Sequence, residues 1–162
     1  MNLTHEECRQ RAIDARVGHL ATVSVSGDPH LVPVTFVFVA GNVAIGIDDK
    51  PKVTSDLKRL RNIHENPRVA LLRDKYDEDW SHLWWVRGDG IASIEEGGSR
   101  WEESWVSLHR KYPQYEARPL FGPVVLIEVN RWSGWAYRSR RIVRLGYRSC
   151  IAKSGRHAPR LP

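Results

Sequence analysis

The fold class is decided by residues 19–47, which read HLATVSVSGDPHLVPVTFVFVAGNVAIGI. The middle of this stretch, residues 30–39, is so rich in valine and phenylalanine that a strand is preferred over a helix. Turn signals flank it on both sides, SGDP before it and GN after it. We therefore predict a meander of three antiparallel strands at residues 19–25, 30–39 and 43–47.

Outward from this meander, the chain carries signals for three more strands and three helices. The strands are predicted in RVALLR, LWWVRGDGIASI and VVLIEVNRWSGWAYR, which begin at residues 68, 83 and 124. The helices are predicted at residues 3–16, between Pro51 and the Asn66-Pro67 pair, and at 102–112. Strands linked mainly by hairpins, with helices at the ends, indicate a mainly β (α+β) fold built on a six-stranded antiparallel barrel.

The length of 162 residues suits one domain with a single core. The formal net charge of +6 comes from the C-terminal end, because residues 138–162 hold eight of the 25 Lys and Arg residues and no acid. The remaining 17 basic residues face 19 acidic ones. We therefore predict a barrel domain at residues 1–137 and a basic tail at 138–162, and expect no nucleic-acid partner except through this tail.

Several classes of protein are disfavoured by what the sequence lacks. No apolar run reaches the roughly 18 residues of a membrane span, and residues 1–16 have no apolar centre of a signal peptide. Cys8 and Cys150 match no metal or redox spacing, and the histidines share no metal-ligand spacing. A Gly-rich phosphate loop and a GxSxG turn are also missing. We expect a cytoplasmic protein without a membrane partner or a metal site.

Three longer segments, taken in order, carry a resemblance to a known family. They are RVGHLATVSVSGDPHLVPVTFV from residue 16, DDKPKVTSDLKRLRNIHENPRVALL from residue 48 and DEDWSHLWWVRGDGIA from residue 77. Together they resemble the pyridoxamine 5′-phosphate oxidase-like split-barrel superfamily, and within it the actinobacterial F420-dependent oxidoreductases. The resemblance spans about residues 11–135. It implies a split β-barrel of the FMN-binding type.

The resemblance also implies a phosphate-binding cluster on the helix after the third strand. The matching residues are Lys58 and Arg59, and Lys50 and Lys52 lie just before that helix. A phosphate needs paired cations and backbone donors, and the first turn of a helix supplies such donors. Without the resemblance, a solvated helix face is the better interpretation of these cations, because Lys and Arg are common on helix surfaces.

The cofactor ring is expected along the second strand, where the family's backbone groups contact the flavin edge. The matching residues are Val32, Pro33, Val34 and Thr35. Pro33 is informative by itself, because proline cannot donate to a strand ladder and belongs at an edge or an interruption. An edge strand that binds no ligand explains the proline equally well.

Tryptophans are a third group of candidates for the cofactor site. Seven occur in the chain, and Trp84, Trp85 and Trp135 fall in segments that border the cofactor groove in relatives. Indoles can wall a flat ring and present an N–H to it. Trp84 and Trp85 are neighbours on one predicted strand, so they must point to opposite faces and at most one can face a given pocket.

The functional hypothesis is an F420-dependent oxidoreductase that transfers hydride between reduced deazaflavin and a small organic substrate. It includes a homodimer with shared cofactor sites, as the resemblance implies and as the apolar strands favour. No residue is assigned as catalytic, because the cofactor carries this chemistry and the protein binds and shields it. Two alternatives remain open: an FMN-dependent oxidase or reductase, and a non-catalytic carrier of flavin or deazaflavin.

Overall fold

The computed structural model describes residues 1–47, 57–115 and 122–137. These residues form seven strands, three α-helices and two short 3₁₀ turns. The helices are α1 (His5–Asp14), α2 (Lys58–Glu65) and α3 (Ser99–Lys111). The strands are β1 (Val17–Val23), β2 (Pro29–Thr35), β3 (Val37–Val39), β4 (Asn42–Gly46), β5 (Arg68–Lys75), β6 (Trp84–Glu95) and β7 (Val124–Ala136). The mainly β composition is as expected.

All seven strands belong to one antiparallel sheet in the order β2-β1-β5-β6-β7-β4-β3. β2 and β3 stand at opposite ends of this order, yet only Phe36 separates them in the chain. Two residues so close in sequence lie at most roughly 7 Å apart, so the two ends of the sheet must meet there. The sheet is therefore curled into a half-barrel, which agrees with a split barrel.

The prediction of six strands was wrong by one, because the run at residues 30–39 is divided at Phe36. Its first part, β2, pairs with β1, and its second part, β3, pairs with β4 on the other side of the sheet. Val34 and Phe36 are buried in alternation and face the main core, whereas Val37, directly after Phe36, is buried in the second cluster, so the alternation breaks at the division. The sequence does not mark this break, because residues 36–39 are all apolar.

The main core lies inside the curl and is closed by α2. It includes Phe36 and Leu20 at the centre, and Leu57 and Leu60 of the α2 segment pack against it. A second cluster joins α3 to β3, β4 and the start of β7, with Trp105 and Tyr112 as its largest buried members. α1 lies on β6 and β7. No helix therefore covers the outer face of β2, β1 and β5 in the described part of the chain.

The helix boundaries agree only partly with the predicted ones. α1 begins after Thr4, whose hydroxyl accepts from the Glu7 amide while the Glu7 carboxylate accepts from the Thr4 amide. α2 ends before Asn66-Pro67, as predicted, and α3 starts at Ser99, three residues earlier than predicted. None of the helices described has the length and apolarity needed to cross a membrane. The basic tail lies outside the described residues.

Candidate functional site

A buried hydrogen bond fastens α2 to the β1–β2 hairpin. Asn62 Nδ2 donates to Thr22 Oγ1 over 3.0 Å, and both side chains are almost fully buried. Thr22 stands directly opposite His30 in the β1–β2 register. Because burying an amide is costly unless it is hydrogen-bonded, this contact fixes how α2 sits over the hairpin.

Lys58 and Arg59 lie one turn before Asn62, so they share its side of α2. The positive charges of Lys58 and Arg59 affect the pKa values of residues in the β1–β2 hairpin. The pKa of Asp28 is lowered mainly by the hydrogen bond from Ser26, and the charge of Lys58 lowers it further. Burial lowers the pKa of His30, and the charges of Lys58 and Arg59 add to that effect. The two predicted phosphate residues are therefore within electrostatic range of Asp28 and His30, at the start of β2.

His30 is a candidate that the sequence prediction did not include. Its Nδ1 atom is buried and has no hydrogen-bond partner within the described segments. A buried polar atom without a partner is costly, so such an atom indicates a position where a ligand or water completes the contact. The sequence signal was present, because His30 opens the predicted ring strand, but no pattern distinguished it from an ordinary packing residue.

β2 is an edge strand of the sheet, as Pro33 led us to predict. Val32 and Val34 turn toward the main core, whereas Pro33 is exposed on the outer face. Thr35 ends the strand, and its hydroxyl is hydrogen-bonded to Tyr115 Oη. The four predicted ring residues therefore offer a cofactor mainly the backbone of an unpaired strand edge.

The three candidate tryptophans divide between two faces of the sheet. Trp85 lines a groove of about 350 Å³ on the outer face, and Trp135 stands directly opposite it on β7. Trp84 lies on the other face, against α1, with the guanidinium carbons of Arg11 and Arg73 at 5.0 and 5.3 Å from its ring centre. The predicted opposition of Trp84 and Trp85 is confirmed, and only Trp85 and Trp135 share the groove's face.

A second and larger groove, of about 460 Å³, lies on the same outer face. Its floor is apolar, and Asp89 and Arg131 line one side. Asp89 is held between two cations, with Arg87 Nε at 2.9 Å and Arg131 Nη2 at 2.8 Å from its carboxylate oxygens. The sequence prediction missed this cluster, because it depends on the pairing of β6 with β7.

Exposed apolar side chains occur on the same outer face as the two grooves. Leu31 of β2 is 62% exposed, Val17 of β1 46% and Ile91 of β6 41%. Charged groove residues such as Asp89 and Arg131 share this face, so its character is mixed.

The lysines predicted before α2 and the predicted absence of a metal site are the last points to compare with the structure. Lys50 and Lys52 precede α2 in the sequence and lie outside the described residues. Among the residues that the structure describes, no group of three or more His, Cys, Asp or Glu side chains is placed to hold a metal ion.

Known proteins provide the remaining evidence. A conserved hypothetical protein of Mycobacterium tuberculosis, Rv2991, superposes with a TM-score of 0.68 at 22% identity, over 83% of this chain and 85% of that one. A FAD-binding protein of Mesorhizobium loti gives 0.63 at 19% identity, over 83% and 93%. The heme storage protein HutZ of Vibrio cholerae gives 0.62 at 17% identity, over 81% and 90%. At these identities the likeness shows the fold alone.

No curated protein sequence matches the chain. The family model described as pyridoxamine 5′-phosphate oxidase, in contrast, matches residues 4–136, which is most of the chain. The match covers the curled sheet, all three helices and both outer grooves, and it ends where the described residues give way to the tail. The chain therefore belongs to the pyridoxamine 5′-phosphate oxidase family.

Proposed function

We propose that this protein is an F420-dependent oxidoreductase, with the cofactor held between the first turn of α2 and the edge strand β2. The observation that carries the proposal is that the charges of Lys58 and Arg59 act on His30, whose buried Nδ1 has no partner among the described residues. Two cations and a helix start suit a phosphate. The residues present therefore fit an anionic cofactor.

The deazaflavin is favoured over FMN by the resemblance and by the charge around this position. Coenzyme F420 carries a long acidic tail beyond its phosphate, and Lys50 and Lys52 precede α2 in the sequence. Four cations within ten residues suit several negative charges better than one phosphate. Trp85, which lines the smaller groove together with Leu31 of β2 and His19 of β1, would wall the ring, with Trp135 opposite it on β7.

The proposal includes a homodimer formed through the outer face. Leu31, Val17 and Ile91 are exposed on that face, and no described element of the chain covers it. A second copy would bury these side chains and supply the far wall of the cofactor groove. Two-fold dimers are the commonest way to cover such a surface.

When bound, the deazaflavin supplies the hydride, and the protein's contribution is binding, orientation and exclusion of water. Lys58 and Arg59 would neutralise the phosphate, and the β2 backbone would orient the ring. No described side chain is assigned as a proton donor. The substrate class is a small organic acceptor that fits beside the ring.

An FMN-dependent oxidase or reductase is the second candidate, and the FAD-binding relatives of Mesorhizobium loti and Mycobacterium smegmatis favour it. The proposed ring and phosphate contacts serve both cofactors. A carrier function is the third candidate, because HutZ is described as a heme storage protein. His19 faces the smaller groove with its Nδ1 3.9 Å from Asp74 Oδ1, which gives heme a possible ligand there.

The test is a set of parallel titrations of the purified full-length protein with coenzyme F420, FMN and hemin at two salt concentrations. We expect the tightest binding for F420, weakened by salt because several charges are paired. Preferential FMN binding would move the protein to the FMN candidate, and hemin binding alone would overturn the oxidoreductase proposal. Binding of F420 without turnover of any acceptor would leave the carrier function.

A further inference from the structure

At Phe36 the chain crosses from β2, at one end of the strand order, to β3, at the other end, and this crossing interrupts the backbone hydrogen bonding of the strands. This residue lies between β2 and β3 and belongs to neither strand, and its side chain is fully buried. Its backbone N–H and C=O therefore lack a strand partner in a place that water does not reach. Buried backbone groups must nevertheless be hydrogen-bonded.

Tyr112, at the end of α3, satisfies both backbone groups of Phe36. Its hydroxyl accepts from the Phe36 amide at 3.1 Å and lies 2.7 Å from the Phe36 carbonyl oxygen. The same hydroxyl lies 2.7 Å from the carbonyl oxygen of Arg16, just before β1. It has one proton, so it donates to one of these two carbonyls at a time.

Lys111 completes the arrangement with an ammonium group that donates to three carbonyl oxygens. These are Phe36 at 3.1 Å, Ala15 at 2.6 Å and Ile13 at 3.3 Å. Three donors meet three acceptors, so the partly buried charge is fully hydrogen-bonded. The end of α1 and the crossing at Phe36 are thereby tied to one side chain.

Tyr115 adds a contact on the β2 side of the crossing. Its hydroxyl and that of Thr35 are hydrogen-bonded, 2.5 Å apart and only partly buried. Thr35 is the last residue of β2 and one of the four residues matched to the cofactor ring. We call Lys111, Tyr112 and Tyr115 the α3 clasp.

We infer that the α3 clasp positions the end of strand β2 for the cofactor, with Tyr115 acting on Thr35 as a positioning residue. The inference rests on the proposed function. β2 is an edge strand with one hydrogen-bonded neighbour strand, so contacts of this kind help to hold its end in place. Because the Thr35 side chain is engaged by Tyr115, the backbone of Thr35 is what it presents to a ligand.

The test compares variants that remove single hydroxyl groups and measures the dissociation constant of F420. Tyr115→Phe and Thr35→Val each remove one partner of the contact, and Thr35→Ser keeps the hydroxyl. Tyr137→Phe, at a partly exposed tyrosine beyond β7, is the matched control. The absorbance spectrum of the bound cofactor and the melting temperature are recorded for every variant.

We expect Tyr115→Phe and Thr35→Val each to weaken F420 binding about three- to tenfold, the range of one net hydrogen bond. The double variant should lose no more than either single one, because both remove the same contact. Thr35→Ser should retain affinity, and the bound spectrum should shift only in the variants that break the contact. Tyr137→Phe should match the wild type in all three measurements.

Two results overturn the inference. One is unchanged affinity in Tyr115→Phe together with a lower melting temperature, which assigns the contact to stability alone. The other is additive loss in the double variant, which shows that the two hydroxyls act separately. If the wild type binds neither F420 nor FMN, the proposed function itself fails and the positioning role fails with it, so the two failures are distinguishable.

Discussion

At the scale of single residues, His30 shows how burial and nearby charge act on one side chain. His30 stands opposite Thr22 in the β1–β2 register, and burial lowers the pKa of its ring. The charges of Lys58 and Arg59 lower the pKa of His30 further, and the charge of Lys58 also lowers the pKa of the acidic Asp28 on the same hairpin. The neutral imidazole is therefore the form that the folded protein favours.

This lowered pKa predicts acid destabilisation. Below the ordinary histidine value of 6.5 the unfolded chain takes up a proton that folded His30 resists, so the free energy of unfolding falls as the pH falls. We expect His30→Gln to flatten that decline between about pH 7 and pH 5. Urea unfolding at several pH values measures it, with His64→Gln on the exposed side of α2 as the control. Parallel profiles for wild type and His30→Gln would contradict the explanation.

Tyr112 provides a second prediction at this scale. Tyr112→Phe keeps the ring but removes the hydroxyl that the buried Phe36 amide donates to, whereas the Phe36 carbonyl keeps its bond from Lys111. We expect a loss of about 1–3 kcal/mol in the free energy of unfolding, the usual cost of a buried unsatisfied polar group. Tyr76→Phe, at a tyrosine that is 79% exposed, should change it by less than about 0.5 kcal/mol. Equal effects of the two substitutions would show that the bonds at Phe36 contribute nothing.

At the scale of elements, local sequence patterns predicted the positions of the strands but missed the point at which the chain changes its partner strand. Short runs rich in valine, isoleucine, leucine and tryptophan identified β1, β4, β5, β6 and β7, and Asn66-Pro67 marked the end of α2, because these signals are local. The division at Phe36 was missed because both halves of the run bury the same kinds of side chain. The α3 clasp and the Arg87–Asp89–Arg131 cluster were missed because they depend on tertiary contacts. Tyr112 and Tyr115 reach Phe36 and Thr35 across the fold, and Arg131 reaches Asp89 from the neighbouring strand.

The pairing of β6 with β7 leads to an element-scale prediction. The register shifts between Asp89 and Gly90, and a Cβ at Gly90 would overlap the carbonyl oxygen of Glu128 and approach Ile127 to 2.9 Å. We expect Gly90→Ala to cost roughly 1–3 kcal/mol of stability, because two strands would have to move apart. Gly97→Ala meets nothing within 4 Å and is the control. If the two variants unfold at the same urea concentration, β6 and β7 are not packed this closely.

At the scale of the whole molecule, the central feature is the uncovered outer face. α2 covers the inner face of the half-barrel, and α1 and α3 cover part of its rim. Both grooves open on the outer face, which these helices leave uncovered. The sequence predicted a dimer but not which surface forms it. That surface depends on which side of each strand the helices cover, and this is a property of the assembled sheet.

The proposed dimer predicts the effect of a charge on this face. We expect Leu31→Glu to convert the dimer to monomers and to weaken F420 binding, because a buried unpaired carboxylate is costly and the far wall of the groove is lost. Val106→Glu, at an exposed position of α3 away from the face, should leave the assembly unchanged. Sedimentation velocity distinguishes the two species. A Leu31→Glu protein that sediments like the wild type would place the interface elsewhere.

The central claim is that Lys58 and Arg59 hold an anionic cofactor beside β2, and the affinity of Arg59→Ala for coenzyme F420 tests it most directly. Arg61→Ala is the matched control. Arg61 is exposed, and because it follows Arg59 by two residues on α2, its side chain points about 200° away from that of Arg59. The account predicts that Arg59→Ala weakens binding by roughly 1–3 kcal/mol, the range of a charge-assisted hydrogen bond, while Arg61→Ala stays close to the wild type. Equal affinity of Arg59→Ala and the wild type would contradict the account and remove the phosphate site from α2.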